Sequence, residues 1–171
     1  MVSKLSVLEV RALAREGRLR SVVPFAALVQ RPADELVRRA ALQQPKTTVL
    51  EGKPQLARHA LTLVLGFDHM VVYPVGEGDD RIELVGRSAE SAIVVEDPSV
   101  SSRHAELTWQ SGPRVVAIRD LGSTNGTFIN GAQVTDQFAI LSDGEVLSLG
   151  DAAFVYVTID SLEGLLRMGG T

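Results

Sequence analysis

From residue 61 onward the chain is a succession of short β-prone runs, and that succession limits its fold more than any other feature. Runs at 61–65, 70–75, 82–85, 93–95, 104–109, 115–118, 127–129, 146–149 and 153–159 recur at roughly ten-residue spacing, with Gly, Pro, Asp or Ser between them. Short β-prone runs punctuated this regularly predict an antiparallel β-sandwich or barrel. No strand–helix–strand alternation is visible, which argues against a parallel α/β sheet. The 171 residues, 45% of them apolar, are enough for one well-filled core.

The first part of the chain has a different period. Ser6 and Glu9 have the spacing of a capping box, with Val7, Leu8, Val10 and Leu13 behind them and Gly17 after. This predicts a helix over 7–16. A second helical segment is expected through Phe25-Ala-Ala-Leu-Val, and a third from Pro32, where Leu36, Val37, Ala40 and Ala41 share a face, to Gln44 before Pro45. Residues 45–54 (PKTTVLEGKP) hold no sustained period and read as a linker. The expected division is therefore a helical module over 1–45, a linker over 46–58, a β-sandwich over 59–160 and a tail over 161–171. In that tail, residues 161–168 could form one short helix.

Charge follows the same division. Residues 1–60 carry eleven Lys/Arg against five Asp/Glu, and residues 61–171 carry six against sixteen. The two parts are expected to be separate units able to attract each other or different partners. Arg11, Arg15 and Arg18 lie near one helical face, with Arg38 and Arg39 on another, but neither aromatic interleaving nor a recognition-helix pattern supports a nucleic-acid partner. No apolar run approaches the ~20 residues that span a bilayer, and the first residues show no signal-peptide pattern. Cysteine is absent. A cytoplasmic, membrane-independent protein is expected, with no disulfide, metal or cofactor.

Twelve residues, Asp120 to Gly131 (DLGSTNGTFING), hold two Asn-Gly pairs. The second, Asn130-Gly131 between β-prone runs, reads as an ordinary hairpin turn. The first follows Ser123 and Thr124, so one loop presents two hydroxyls and an amide. Two further segments stand out. Gly86-Arg87 ends a strand, and Ser101-Ser102-Arg103-His104 precedes one. A phosphate group carries two strong negative charges and three acceptor oxygens. It is held well by a guanidinium together with hydroxyl and backbone N–H donors on loops. Arg87, Ser101 and Thr124 supply that mix, and the Ser101-Ser102 turn supplies N–H groups.

Together these motifs resemble the forkhead-associated (FHA) domain: a Gly-Arg, a Ser-x-x-His, a Ser-x-Asn-Gly-Thr with an Asn-Gly after it, then Leu141, Gly144, Glu145 and Gly150. The resemblance covers about residues 60–159. Ala92 departs from it, since the family usually has Asp or Asn before that Ile. The resemblance implies a phosphothreonine-binding module in Ser/Thr-kinase-linked signalling or regulated assembly, not an enzyme. Arg87, Ser101 and the Ser102 amide would hold the phosphate, with Thr124 assisting. Asn125 would bond the peptide backbone, and Arg103 could add a flanking contact. Gly86, His104, Gly122 and Gly126 would shape the loops. Some small bacterial members carry a phosphorylated threonine pair in an N-terminal tail that docks on the domain, which makes Thr47 and Thr48 candidate phosphorylation sites.

Other readings attach to the same residues. Ser101 and His104 at this spacing suggest a hydrolase nucleophile and base, although no orienting carboxylate or oxyanion donors can be identified. A phosphorylation-independent assembly subunit would act through the helical half. Glu77, Asp79, Asp80 and Glu83 fit no standard cation loop and read as a solvated turn. GEGDD lacks the Gly-Lys-Ser/Thr end of a phosphate-binding loop. His59 and His69 are isolated, and Trp109 reads as packing.

Overall fold

Two β-sheets face each other, and three helices cover the outer face of the larger one. The computed structural model describes residues 4–31, 70–76, 81–110 and 115–168. In chain order the elements are β1 (Leu5–Ser6), α1 (Val7–Arg15), α2 (Leu19–Val22), β2 (Ala26–Gln30), β3 (Val71–Val75), β4 (Ile82–Gly86), β5 (Ile93–Val94), β6 (Ala105–Gln110), β7 (Val115–Asp120), β8 (Thr127–Ile129), β9 (Ala132–Val134), β10 (Ala139–Leu141), β11 (Val146–Leu149), β12 (Ala152–Thr158) and α3 (Ile159–Met168). The larger sheet runs β1-β3-β2-β12-β11-β8-β9 and the smaller β10-β7-β6-β4-β5. All pairings are antiparallel except β4 with β5. The mainly β, sandwich-type architecture matches the expectation from the strand spacing.

The inner faces form one core, in which Trp109, Phe154, Tyr156, Leu107, Ile118 and Leu147 are buried. A second core lies on the other side of the larger sheet, where α1, α2 and α3 set Val7, Val10, Leu19 and Leu162 against Val29, Val72, Val155 and Val157. The capping box starts α1: Glu9 N–H donates to Ser6 Oγ at 3.2 Å, and Ser6 N–H donates to the Glu9 carboxylate at 2.7 Å. The helix closes where Gly17 takes a φ of +69°.

One expected helix is a strand. Residues 25–29 read as helical, but Ala26–Gln30 is β2, hydrogen-bonded between β3 and β12. Ala26 and Leu28 face the inner core while Ala27 and Val29 face the second. A strand buried on both faces is apolar without alternation, so its period cannot separate it from a buried helix. Within the described residues 4–31, β1 and β2 belong to the larger sheet, and β2 is one of its central strands. The charge asymmetry is met inside the same fold. Arg20 pairs with Asp160 at 2.6 Å and Glu163 at 2.9 Å, and Lys4 pairs with Glu96 at 2.8 Å. The expected helix from Pro32, the linker, Thr47, Thr48, the 61–65 strand, and Glu77, Asp79 and Asp80 lie outside the described residues. No described helix is long and apolar enough to cross a membrane.

Candidate functional site

The site sits on loops at the end of the sandwich reached by β4, β7 and the start of β6. Its frame comes from close backbone approach. A Cβ on Gly86 would lie 2.2 Å from the Ser102 carbonyl oxygen, so only glycine lets β4 pass the 101–103 loop. Just beyond, Arg87 N–H donates to Ser101 O at 3.0 Å and Ser88 N–H to Ser102 O at 3.1 Å. Arg87 Nε donates to Val100 O at 3.2 Å, which orients the guanidinium and leaves its other donors toward solvent. Among the described residues no carboxylate pairs with Arg87 or with exposed Arg103.

His104 is fully buried and joins this loop to the next. Its Nδ1 accepts the Ser101 N–H at 3.0 Å, which assigns the ring proton to Nε2, and Nε2 then donates to Gly126 O at 3.1 Å. Burial is the main influence on the ring and lowers its pKa, favouring the neutral form, against the Gly126 bond and Asp120, which act the other way. Both ring nitrogens are thus committed to backbone groups. Ser101 Oγ instead meets Thr124, accepting its N–H at 3.0 Å and lying 3.4 Å from its hydroxyl. The Ser101–His104 nucleophile–base pair considered from the sequence does not form in this arrangement.

The 121–126 loop is organised by Asp120. Its carboxylate accepts Gly122 N–H at 2.7 Å, Ser123 N–H at 2.8 Å, Ser123 Oγ at 2.7 Å and Thr127 Oγ1 at 2.6 Å. Burial alone would raise its pKa, but the bonds from Thr127, Ser123 and Gly122 together outweigh burial and hold it below the usual carboxylate range. Ser123 Oγ accepts the Gly126 N–H at 3.0 Å, and Gly126 takes a φ of +80°. At the second Asn-Gly both residues have positive φ, Asn130 at 49° and Gly131 at 83°, as a type I′ hairpin turn between β8 and β9 requires. At the first only the glycine does, so that loop is not a hairpin turn.

Of the residues picked from the sequence, Gly86, Arg87, Ser101, Ser102, His104, Thr124, Asn125 and Gly126 come together here. Arg103 adjoins them on the surface without a partner among the described residues. Gly122 forms an exposed turn at φ +75°. Asn125 Nδ2 is bonded to Ser99 O at 2.8 Å. Sequence reading missed Asp120, Ser99 and Asp97 as organisers. For Asp97 and Asp120 the signal was present, since an Asp two or three residues before Ser or Gly is how a side chain closes a loop on its own backbone. The surface offers donors in excess of acceptors, on three loops, to something anionic. Among the described residues no three His, Asp or Glu side chains gather as metal ligands.

Fold and site together define a two-sheet β-sandwich that carries a donor-rich polar surface on the loops at one end. Residues 84–150 match the FHA domain model, and this part of the chain is an FHA domain. Such a domain is a binding module. Among curated relatives, FHA domain-containing protein FhaA of Mycobacterium tuberculosis is 33% identical over 96 residues, 56% of this chain and 17% of the relative. Glycogen accumulation regulator GarA of Mycolicibacterium smegmatis is 37% identical over 80 residues, covering 47% of this chain and 48% of the relative. The chain thus spans half or less of these relatives. Among solved structures, the FhaA FHA domain complexed with the intracellular domain of Rv3910 is 31% identical over 53% of this chain and 90% of that one, with a TM-score of 0.43.

Proposed function

We propose that this chain binds phosphothreonine-containing peptides through the loop end of its sandwich, as a recognition module in Ser/Thr-kinase-linked signalling or regulated assembly. One observation carries the reading. A guanidinium without a carboxylate partner among the described residues stands beside a loop pair whose two hydroxyls, Ser101 and Thr124, are already linked to each other. A dianionic phosphate satisfies such a cluster, because charge-assisted bonds to Arg are the strong ones and the hydroxyls complete its oxygen shell. In this role Arg87, Ser101 and the Ser102 N–H hold the phosphate, Thr124 assists, Asn125 bonds the peptide backbone and Arg103 contacts a flanking group. Gly86, His104, Gly122 and Gly126 shape the loops. Both ring nitrogens of His104 are engaged by backbone, which supports a binding role over catalysis. A cytoplasmic setting and Thr47 and Thr48 as phosphoacceptors belong to the same proposal; mass spectrometry after Ser/Thr kinase treatment tests the latter.

Fluorescence anisotropy with a phosphothreonine peptide pool and its unphosphorylated counterpart tests the function. The phosphorylated pool is expected to bind, and Arg87→Ala to weaken it about 10–100-fold, since a hydrogen bond to a charged group contributes roughly 1.5–3 kcal/mol. Equal affinity for both pools would overturn the proposal.

A further inference from the structure

Three loops converge on Ser99, a residue outside the phosphate-binding set. Its N–H and its hydroxyl both donate to Asp97 Oδ1, at 2.8 and 2.6 Å. The same Oγ accepts the Asp151 N–H at 2.8 Å, and its carbonyl accepts Asn125 Nδ2 at 2.8 Å. The β11–β12 turn is pressed against it, because a Cβ on Gly150, itself at φ +57°, would lie 2.6 Å from Ser99 O. Gly150 N–H also donates to Gly126 O at 3.0 Å, the carbonyl that receives His104 Nε2. Ser99, Asn125, Gly126, Gly150 and Asp151 therefore form a closed ring of hydrogen bonds and chain.

We infer that Ser99 is a positioning residue for peptide recognition, acting through Asn125 and not on the phosphate; this rests on the phosphothreonine reading above. A carboxamide turns about a broad, nearly two-fold torsion, so hydrogen bonding alone decides which way the exposed Asn125 amide presents itself. The Ser99 carbonyl takes one amide N–H and leaves one N–H and the oxygen. That pair matches the C=O and N–H of an extended peptide backbone. The carbonyl is held in place because the Ser99 hydroxyl donates to Asp97 while accepting from Asp151. Only a hydroxyl does both in that space. The side-chain bonds of Arg87, Ser101 and Thr124 run to Val100 O and to one another, not to Ser99.

The test is a double-mutant cycle on the full chain with the phosphothreonine peptide pool, using wild type, Ser99→Ala, Asn125→Ala and the double variant. Ser99→Ala is expected to weaken the pool 3–10-fold, as an order of magnitude for one lost positioning contact, and to add little once Asn125 is Ala. Ser99→Thr, which keeps the hydroxyl, restores binding. Inorganic phosphate, titrated by NMR, binds wild type and Ser99→Ala alike. Strictly additive losses, or an equal loss for inorganic phosphate, would overturn the inference and make Ser99 merely structural. A wild-type protein indifferent to phosphorylation would instead strike down the functional reading, and this inference with it.

Discussion

Replacing Asp120 by Ala removes the acceptor that four donors share, and the structure sets the size of the loss. The Gly122 and Ser123 N–H groups border solvent and recover water partners, so they contribute little to the deficit. The Thr127 hydroxyl does not, since Thr127 is fully buried, and Ser123 loses the bond that holds it under Gly126. Hydrogen bonds to a charged group contribute roughly 1.5–3 kcal/mol each, and a buried hydroxyl left unpaired costs about 1–3 kcal/mol. Asp120→Ala is therefore expected to destabilise the domain by about 2–4 kcal/mol, read as a lower urea midpoint at unchanged m. The pH dependence gives an independent check. The folded pKa of Asp120 is depressed, so its contribution is complete above the unfolded value of about 3.9 and is lost as pH falls through the lower folded value. Wild type should lose stability with acid in that window more steeply than Asp120→Ala. A variant within 0.5 kcal/mol of wild type (roughly the neutral range for surface changes), or one with the same acid slope, would refute the claim that this carboxylate organises the loop.

Gly86→Ala drives a methyl into the Ser102 carbonyl; it should cost about 1–3 kcal/mol and weaken phosphopeptide binding, checked by thermal melting and anisotropy. Leu28→Ala, fully buried in β2, should cost about 2–5 kcal/mol of global stability by urea unfolding; a loss below 1 kcal/mol would mean that β2 is not a core strand. His104→Gln should remove one pH effect. The wild-type His104 pKa is lowered on folding, so its contribution is present above the unfolded value of about 6.5 and is lost as pH falls. Denaturation across pH 5–7 should then show a steeper wild-type decline, and equal slopes would contradict it.

Much of the site was readable because it depends on local chemistry. The Ser101 N–H bond to His104 and the Asp120 bonds within its own loop act over a few residues, whereas Gly86 and Arg87 were legible by residue type and meet Ser102 and Val100 only in the fold. The capping box of α1 and the Asn130-Gly131 hairpin are equally local, and the structure has both. The Asp97 and Asp120 brackets were within reach on the same grounds and were passed over. Ser99 was not legible as a hub, because its partners Asn125 and Asp151 are 26 and 52 residues away.

What the sequence determined by itself was the class of architecture and the donor set of one surface, since turn residues, strand spacing and side-chain chemistry are properties of short segments. Tertiary structure alone decided where residues 26–30 belong. Their unbroken apolar run suits a helix or a doubly buried strand equally, and the choice falls to the strand because β3 and β12 leave a gap with cores on both sides. It alone decided, too, that His104 serves two backbones and not a serine. That outcome depends on Gly126 O arriving at its far nitrogen, a meeting made by folding.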